Sequence, residues 1–177
     1  MKKVGVIVGL IFTFLILYLL QANFFNWFTL ANVQPNLFVI FVLFVGLFAG
    51  KYPGTGVGIV CGLLLDIFIG KKIGVSAIML GAIGFLAGYL DKNFSKDSRM
   101  TIMLMVMGAT LVYEVGSYVI QAFIFSYTTD LIPLIVTFVI EVIYNVILTI
   151  ILYPLMQKAG YTIEDTFKGH KILTRYF

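Results

Sequence analysis

Between Gly46 and Gly74 the chain can be read at every fourth residue: Gly46, Gly50, Gly54, Gly58, Gly62, Asp66, Gly70, Gly74. Seven of these eight positions are glycine and the other is a carboxylate. In water this register makes a poor helix, because each interior glycine costs about 1 kcal/mol relative to alanine. Inside a bilayer the backbone must satisfy its own hydrogen bonds, so the segment is driven into helix regardless. Glycines four apart then leave a groove along one face, where a second backbone can approach closely. The ladder predicts a tight helix–helix contact along Gly54, Gly58 and Gly62, with turns near 50–54 and 70–74.

Composition supplies the bilayer. Of 177 residues, 61% are apolar and 11% charged, more apolar surface than a soluble domain of this size can bury. The chain reads as an all-α integral membrane protein with one domain of six transmembrane helices, near 4–21, 35–50, 54–70, 73–90, 100–125 and 131–157. The run from Val4 to Leu20 follows Lys2-Lys3 and lacks a small-x-small cleavage site after it, so it is expected to remain as the first span. Residues 22–33, with Phe24, Phe25, Trp27 and Phe28, form an interfacial aromatic segment. Pro35 suits the first turn of the second span. Lys51-Tyr52-Pro53 reads as a tight turn. The third span carries Asp66 near its far end, placed to cap or neutralise Lys71 or Lys72. The fourth span presents Ala77, Gly81, Gly84 and Gly88, a small-residue face suited to packing on the third.

Residues 91–99 and 126–130 read as polar loops. Pro154 falls near the end of the sixth span, and the tail, 158–177, is expected to lie along the headgroups as an amphipathic segment. Six spans place both termini on one side. That side collects Lys2, Lys3, Lys51, Lys92, Lys96, Arg99, Lys158, Lys168, Lys171 and Arg175, and the other only Lys71 and Lys72. The positive-inside rule makes the first side cytoplasmic.

Three carboxylates lie within spans: Asp66, Glu114 and Glu141. Each costs about 2.5–3.5 kcal/mol at a helix centre, so each is expected to face the protein interior. Glu114 shares a helix face with Ser117, Tyr118 and Gln121. Glu141 has Thr137 one turn before and Asn145 one turn after, with Tyr144 adjacent. The two glutamates lie at similar depth, which implies either a shared polar chamber or a buried hydrogen-bonded junction. Enzyme signatures are missing: the sequence has no zinc-protease H-E-x-x-H, no G-x-S-x-G elbow and no P-loop lysine. The one cysteine, Cys61, sits in an apolar run, and the one histidine, His170, in the tail. No metal set, disulfide or cofactor is expected. The net charge of +4 is small and its basic residues flank spans, so the expected surroundings are lipid rather than nucleic acid.

Gln34-Pro35-Asn36-Leu37, Gly46-Leu47, the glycines at 50, 54, 58 and 62, Leu63-Leu64-Leu65-Asp66, and Gly70 and Gly74 with Ser76-Ala77 give the sequence a family resemblance. It resembles the bacterial rod shape-determining protein MreD family: a proline-x-leucine opening, a glycine-rich pair of spans, a G-L-x-x-D segment and a glycine turn before a small-rich span. Asn36 stands where family members often have aspartate. The resemblance implies a non-enzymatic scaffold of the cell-wall elongation complex in the bacterial cytoplasmic membrane. Its implied partners are MreC, the MreB cytoskeleton, RodA and a class B penicillin-binding protein. Trp27, Pro35, Asn36 and Asp66 are then the candidates for a partner surface. The family is also similar in fold to the substrate-binding S-components of energy-coupling-factor vitamin transporters. That similarity implies an alternative, in which a chamber beside Glu114 and Glu141 binds a small nutrient.

Overall fold

The computed structural model describes residues 2–69, 73–91, 98–125 and 131–168. The expected turn at Lys71-Lys72, most of the 91–99 loop, the 126–130 loop and the tail beyond Lys168 lie outside the described residues. Among the described residues the chain is helical: α1 Lys2–Leu19, α2 Leu37–Ala49, α3 Lys51–Ile69, α4 Val75–Leu90, α5 Arg99–Phe125 and α6 Leu131–Phe167. A π-helical stretch, Leu20–Phe24, and a 3-10 turn, Phe25–Trp27, continue α1, so the helical run passes the expected end of the first span. Four runs are long and apolar enough to cross a membrane: Val4–Trp27, Lys51–Ile69, Arg99–Ile124 and Ile132–Phe167.

The other two helices are shorter, and α2 shows why. At 13 residues it is about 20 Å long, against a hydrocarbon core of about 30 Å. Every one of its residues is buried. It is wrapped by α3, α4, α5 and α6, and Phe14 of α1 packs on its Phe38, ring centroids 5.3 Å apart. Its continuous apolar run comes from enclosure by protein on all sides, whereas α1 exposes most of its large side chains.

The break between α2 and α3 is a single residue, Gly50, at φ +95°. Only glycine adopts that conformation without strain. Lys51-Tyr52-Pro53 is therefore the first turn of α3 and not a separate turn. Proline is tolerated there because the first backbone N–H groups of a helix have no partner within it. Pro35, in contrast, lies outside α2, since Asn36 is the N-cap.

The glycine ladder forms a three-helix seam. A Cβ on Gly54 would stand 2.6 Å from Gly46 Cα and 2.8 Å from Gly84 O, and one on Gly46 would stand 2.6 Å from Gly84 O. Gly58 abuts the backbone of Leu80 and Gly81, Gly62 that of Ala77, Gly84 that of Gly54, and Gly88 that of Gly50 and Lys51. Gly81 abuts chiefly the side chain of Ile59, and Gly56 has open space.

At its far end α6 differs from the expected sixth span. It continues through Pro154 to Phe167, ten residues past Gln157. The extension docks on the bundle: Tyr161 packs edge-on to Phe48, at 5.6 Å, and Ile163 and Phe167 join the core. Part of its apolar side thus covers protein.

Candidate functional site: a polar junction at the start of α2

A helix that begins inside the protein must find partners for its first N–H groups. For α2 these come from its own N-cap and from two other segments. Asn36 Oδ1 accepts from Val39 N at 3.3 Å. Gln21, in the π-helical stretch after α1, accepts from Leu37 N through Oε1 at 3.2 Å. Asn145 of α6 accepts from Asn36 N through Oδ1 at 2.8 Å. The same Asn145, fully buried, donates through Nδ2 to Thr110 Oγ1 of α5 at 2.9 Å, and Thr110 donates to Val106 O at 2.9 Å.

One turn along both helices, in antiparallel register, the Thr110–Asn145 pair is followed by Glu114 and Glu141. Glu141 is 5% exposed and lies against Glu114, Asn36 and Asn145. Its Oε1 has no hydrogen-bond partner, and neither has Oγ of Ser117, which is 8% exposed and one turn further on α5. Tyr113 donates from its hydroxyl to Ser76 Oγ of α4 at 3.3 Å, which links the junction to the glycine-rich half.

Asp66 builds a second, smaller version of the same device. The N-cap of α4 is Gly74, which has no side chain to offer. Asp66 supplies one from α3: Oδ2 accepts from Gly74 N at 2.7 Å and Oδ1 from Ser76 N at 3.4 Å. A carboxylate at a helix N-terminus also meets the positive end of the helix dipole.

Of the expected chamber residues, Glu114, Glu141 and Asn145 come together, and Ser117 is buried one turn further along α5. Tyr118 and Gln121 are half-buried further along α5. Tyr144 turns elsewhere, donating to Phe28 O at 2.7 Å and fastening the aromatic segment to α6. Of the expected partner surface only Trp27, 90% exposed, is on the outside. Pro35 is buried, Asn36 spends its side chain on α2, and Asp66 is 2% exposed. The polar side chains of Asn36 and Asp66 serve buried helix ends. Sequence reasoning passed over Gln21, Ser76, Thr110 and Tyr113. Extending the Glu114 face back by one turn reaches Thr110.

The opposite end of α2 is fastened too. Lys168, just past α6, donates through Nζ to Leu47 O at 3.0 Å and pairs with Asp91 Oδ2 at 2.6 Å. Two cavities of about 490 and about 390 Å3 lie on apolar faces of α3–α4 and α4–α5, and neither is lined by Glu114 or Glu141. Among the described residues no group of three or more His, Cys, Asp and Glu side chains gathers to hold a metal ion.

No curated protein and no solved structure matches the chain. A family model, described as rod shape-determining protein MreD, matches residues 1–159. With that match covering α1 to α5 and most of α6, the chain belongs to the rod shape-determining MreD family.

Proposed function

We propose that the protein is a non-enzymatic scaffold of the cell-wall elongation complex. In this reading it binds MreC and links RodA and a class B penicillin-binding protein to the MreB cytoskeleton. It sits in the bacterial cytoplasmic membrane with six membrane-embedded helices and both termini in the cytoplasm. Membership of a shape-determining membrane family supports the reading. The observation that carries it is where the buried polar groups go. Asn36, Asn145 and Thr110 are bonded to each other and to helix ends, so the junction serves to fix helices rather than to process a substrate.

Co-purification of the full chain with MreC is the test, and recovery without MreC from a membrane that contains it overturns the reading. A fixed junction further implies that Glu114→Gln and Glu141→Gln keep complex assembly and rod shape, while Glu141→Leu, which leaves Asn36 and Asn145 facing an apolar side chain, destabilises the bundle by about 1–3 kcal/mol. Loss of assembly in a stable Glu→Gln protein counts against it.

The alternative is an S-component-like nutrient binder. The unpartnered Ser117 Oγ and Glu141 Oε1 favour it, since a small ligand would satisfy both. Mass spectrometry of a co-purified vitamin, or recovery of a coupling subunit with ATPases in place of MreC, decides for it.

A further inference from the structure

Of the two apolar cavities, the one between α4 and α5 is the more enclosed. Its floor is made by Leu43 of α2, Ala87 of α4 and Ala109 of α5, all buried, and its rims by Leu86 and Leu104, both exposed. It is therefore a groove that opens outward, towards the bilayer. Every lining residue but Thr101 is apolar. On the α5 wall Gly108 is exposed, and a Cβ there would meet nothing within 4 Å. Side chains are missing here as they are in the seam, but no second backbone among the described residues fills the space.

The shape of the groove selects its occupant. Thr101 and Val112 both line it and stand 11 positions apart on α5, so it is about 16 Å long at about 1.5 Å per residue. A volume of about 390 Å3 over that length gives a cross-section of about 24 Å2, against about 80–110 Å2 for a helix about 10–12 Å across. A transmembrane helix is too thick to lie in it. An extended alkyl chain is thin enough, and lipid tails are as apolar as the leucines that line the groove. The two ends of the groove differ. At Leu90 and Thr101 it reaches the last residue of α4 and the first turn of α5. The start of α5 carries the positive end of a helix dipole. It also carries Arg99, which is exposed, with its guanidinium 5.6 Å from the centre of the Tyr153 ring. Asp91, at the same end, is paired with Lys168 at 2.6 Å. A phosphate is favoured at this end. The other end, at Val112, is halfway along α5 and wholly apolar.

We propose that this groove is a phospholipid site, in which one acyl chain lies between α4 and α5 from Leu90 and Thr101 to Val112, with its phosphate at the start of α5. The inference concerns this chain alone and does not depend on which partners it binds. The test uses the full chain, purified in detergent and mixed with phosphatidylglycerol that carries a diazirine midway along one acyl chain. Irradiation should label the peptides that contain residues 83–90 and 101–112. Label spread evenly over the exposed faces of α1 and α6 as well reports only the lipid that surrounds any membrane protein, and overturns the proposal. In native mass spectrometry the protein should retain one phosphatidylglycerol. Gly108→Leu, whose side chain enters the groove, should lose it, and Gly56→Leu, in open space on α3 outside the groove, should keep it. Lipid retained in Gly108→Leu overturns the proposal. So does a dimer that Gly108→Leu separates without changing the bound lipid, since the groove then belongs to a second copy. If Gly108→Leu does not fold, the labelling pattern of the unaltered chain decides the matter.

Discussion

The seam of α2, α3 and α4 and the junction of α5 and α6 are two solutions to one problem, the joining of helices where burial of apolar surface offers no gain over lipid. In the seam the helices meet because side chains are missing: backbone rests on backbone at Gly46, Gly54, Gly58, Gly62, Gly84 and Gly88. At the junction they meet because side chains are present and specific: Asn145 alone addresses α2 and α5. The seam should therefore reject any added atom, whatever its chemistry. The junction should accept changes of shape more readily than changes of hydrogen-bonding character.

The sharpest way to break the contrast is a single methyl group. Gly58→Ala places its Cβ against the Leu80 and Gly81 backbone, which cannot give as a flexible side chain can. Overpacking of this kind costs about 3 kcal/mol or more, and a large drop in thermal stability or folded yield is expected. Gly56→Ala, two residues away in open space, should stay within about 0.5 kcal/mol of the parent. Equal tolerance of both would show that α3 and α4 are not in backbone contact.

Next in size, Asn145→Leu keeps the volume and removes the chemistry. It leaves Asn36 N–H without its acceptor, for an expected loss of about 1–3 kcal/mol in a reversible unfolding assay. An unchanged unfolding midpoint would mean the junction relies on packing after all. Smallest is Asp66→Ala, which removes the cap of α4 at a cost of about 1 kcal/mol. Hydrogen exchange should quicken at the start of α4, near Gly74 and Ser76, and leave α5 and α6 unaffected. Faster exchange throughout the protein would show instead that the cap supports the entire bundle.

These cases also show what could be read without a structure. The glycine ladder was legible because period-four glycine has one consequence in a bilayer, and the glutamates because intramembrane carboxylates turn inward. Asn36 was harder to place, because a polar residue near a span end looks like surface. Whether a helix end lies in the headgroups or inside the protein depends on neighbours that arrive from a hundred residues away. The length of α6 was hidden for a similar reason, since hydropathy falls at Lys158 but Tyr161 and Phe167 find a protein surface to cover. Gly50 was read correctly as a break, but the break proved one residue wide.

Both ends of α2 are held from α6, by Asn145 at one end and by Lys168 at the other. The partners are separated by 109 and 121 positions in the chain. On the ribosome, α2 is among the first segments made and its two clasps are among the last. Until then a helix too short for the hydrocarbon layer has only Gln21 and Asn36 at its start, and lacks the two α6 partners in a medium that cannot hydrogen-bond in their place. The central helix of the protein is thus the one whose place is decided latest. A ribosome that stops before Lys168 releases a chain with the N-terminal clasp formed and the C-terminal one absent.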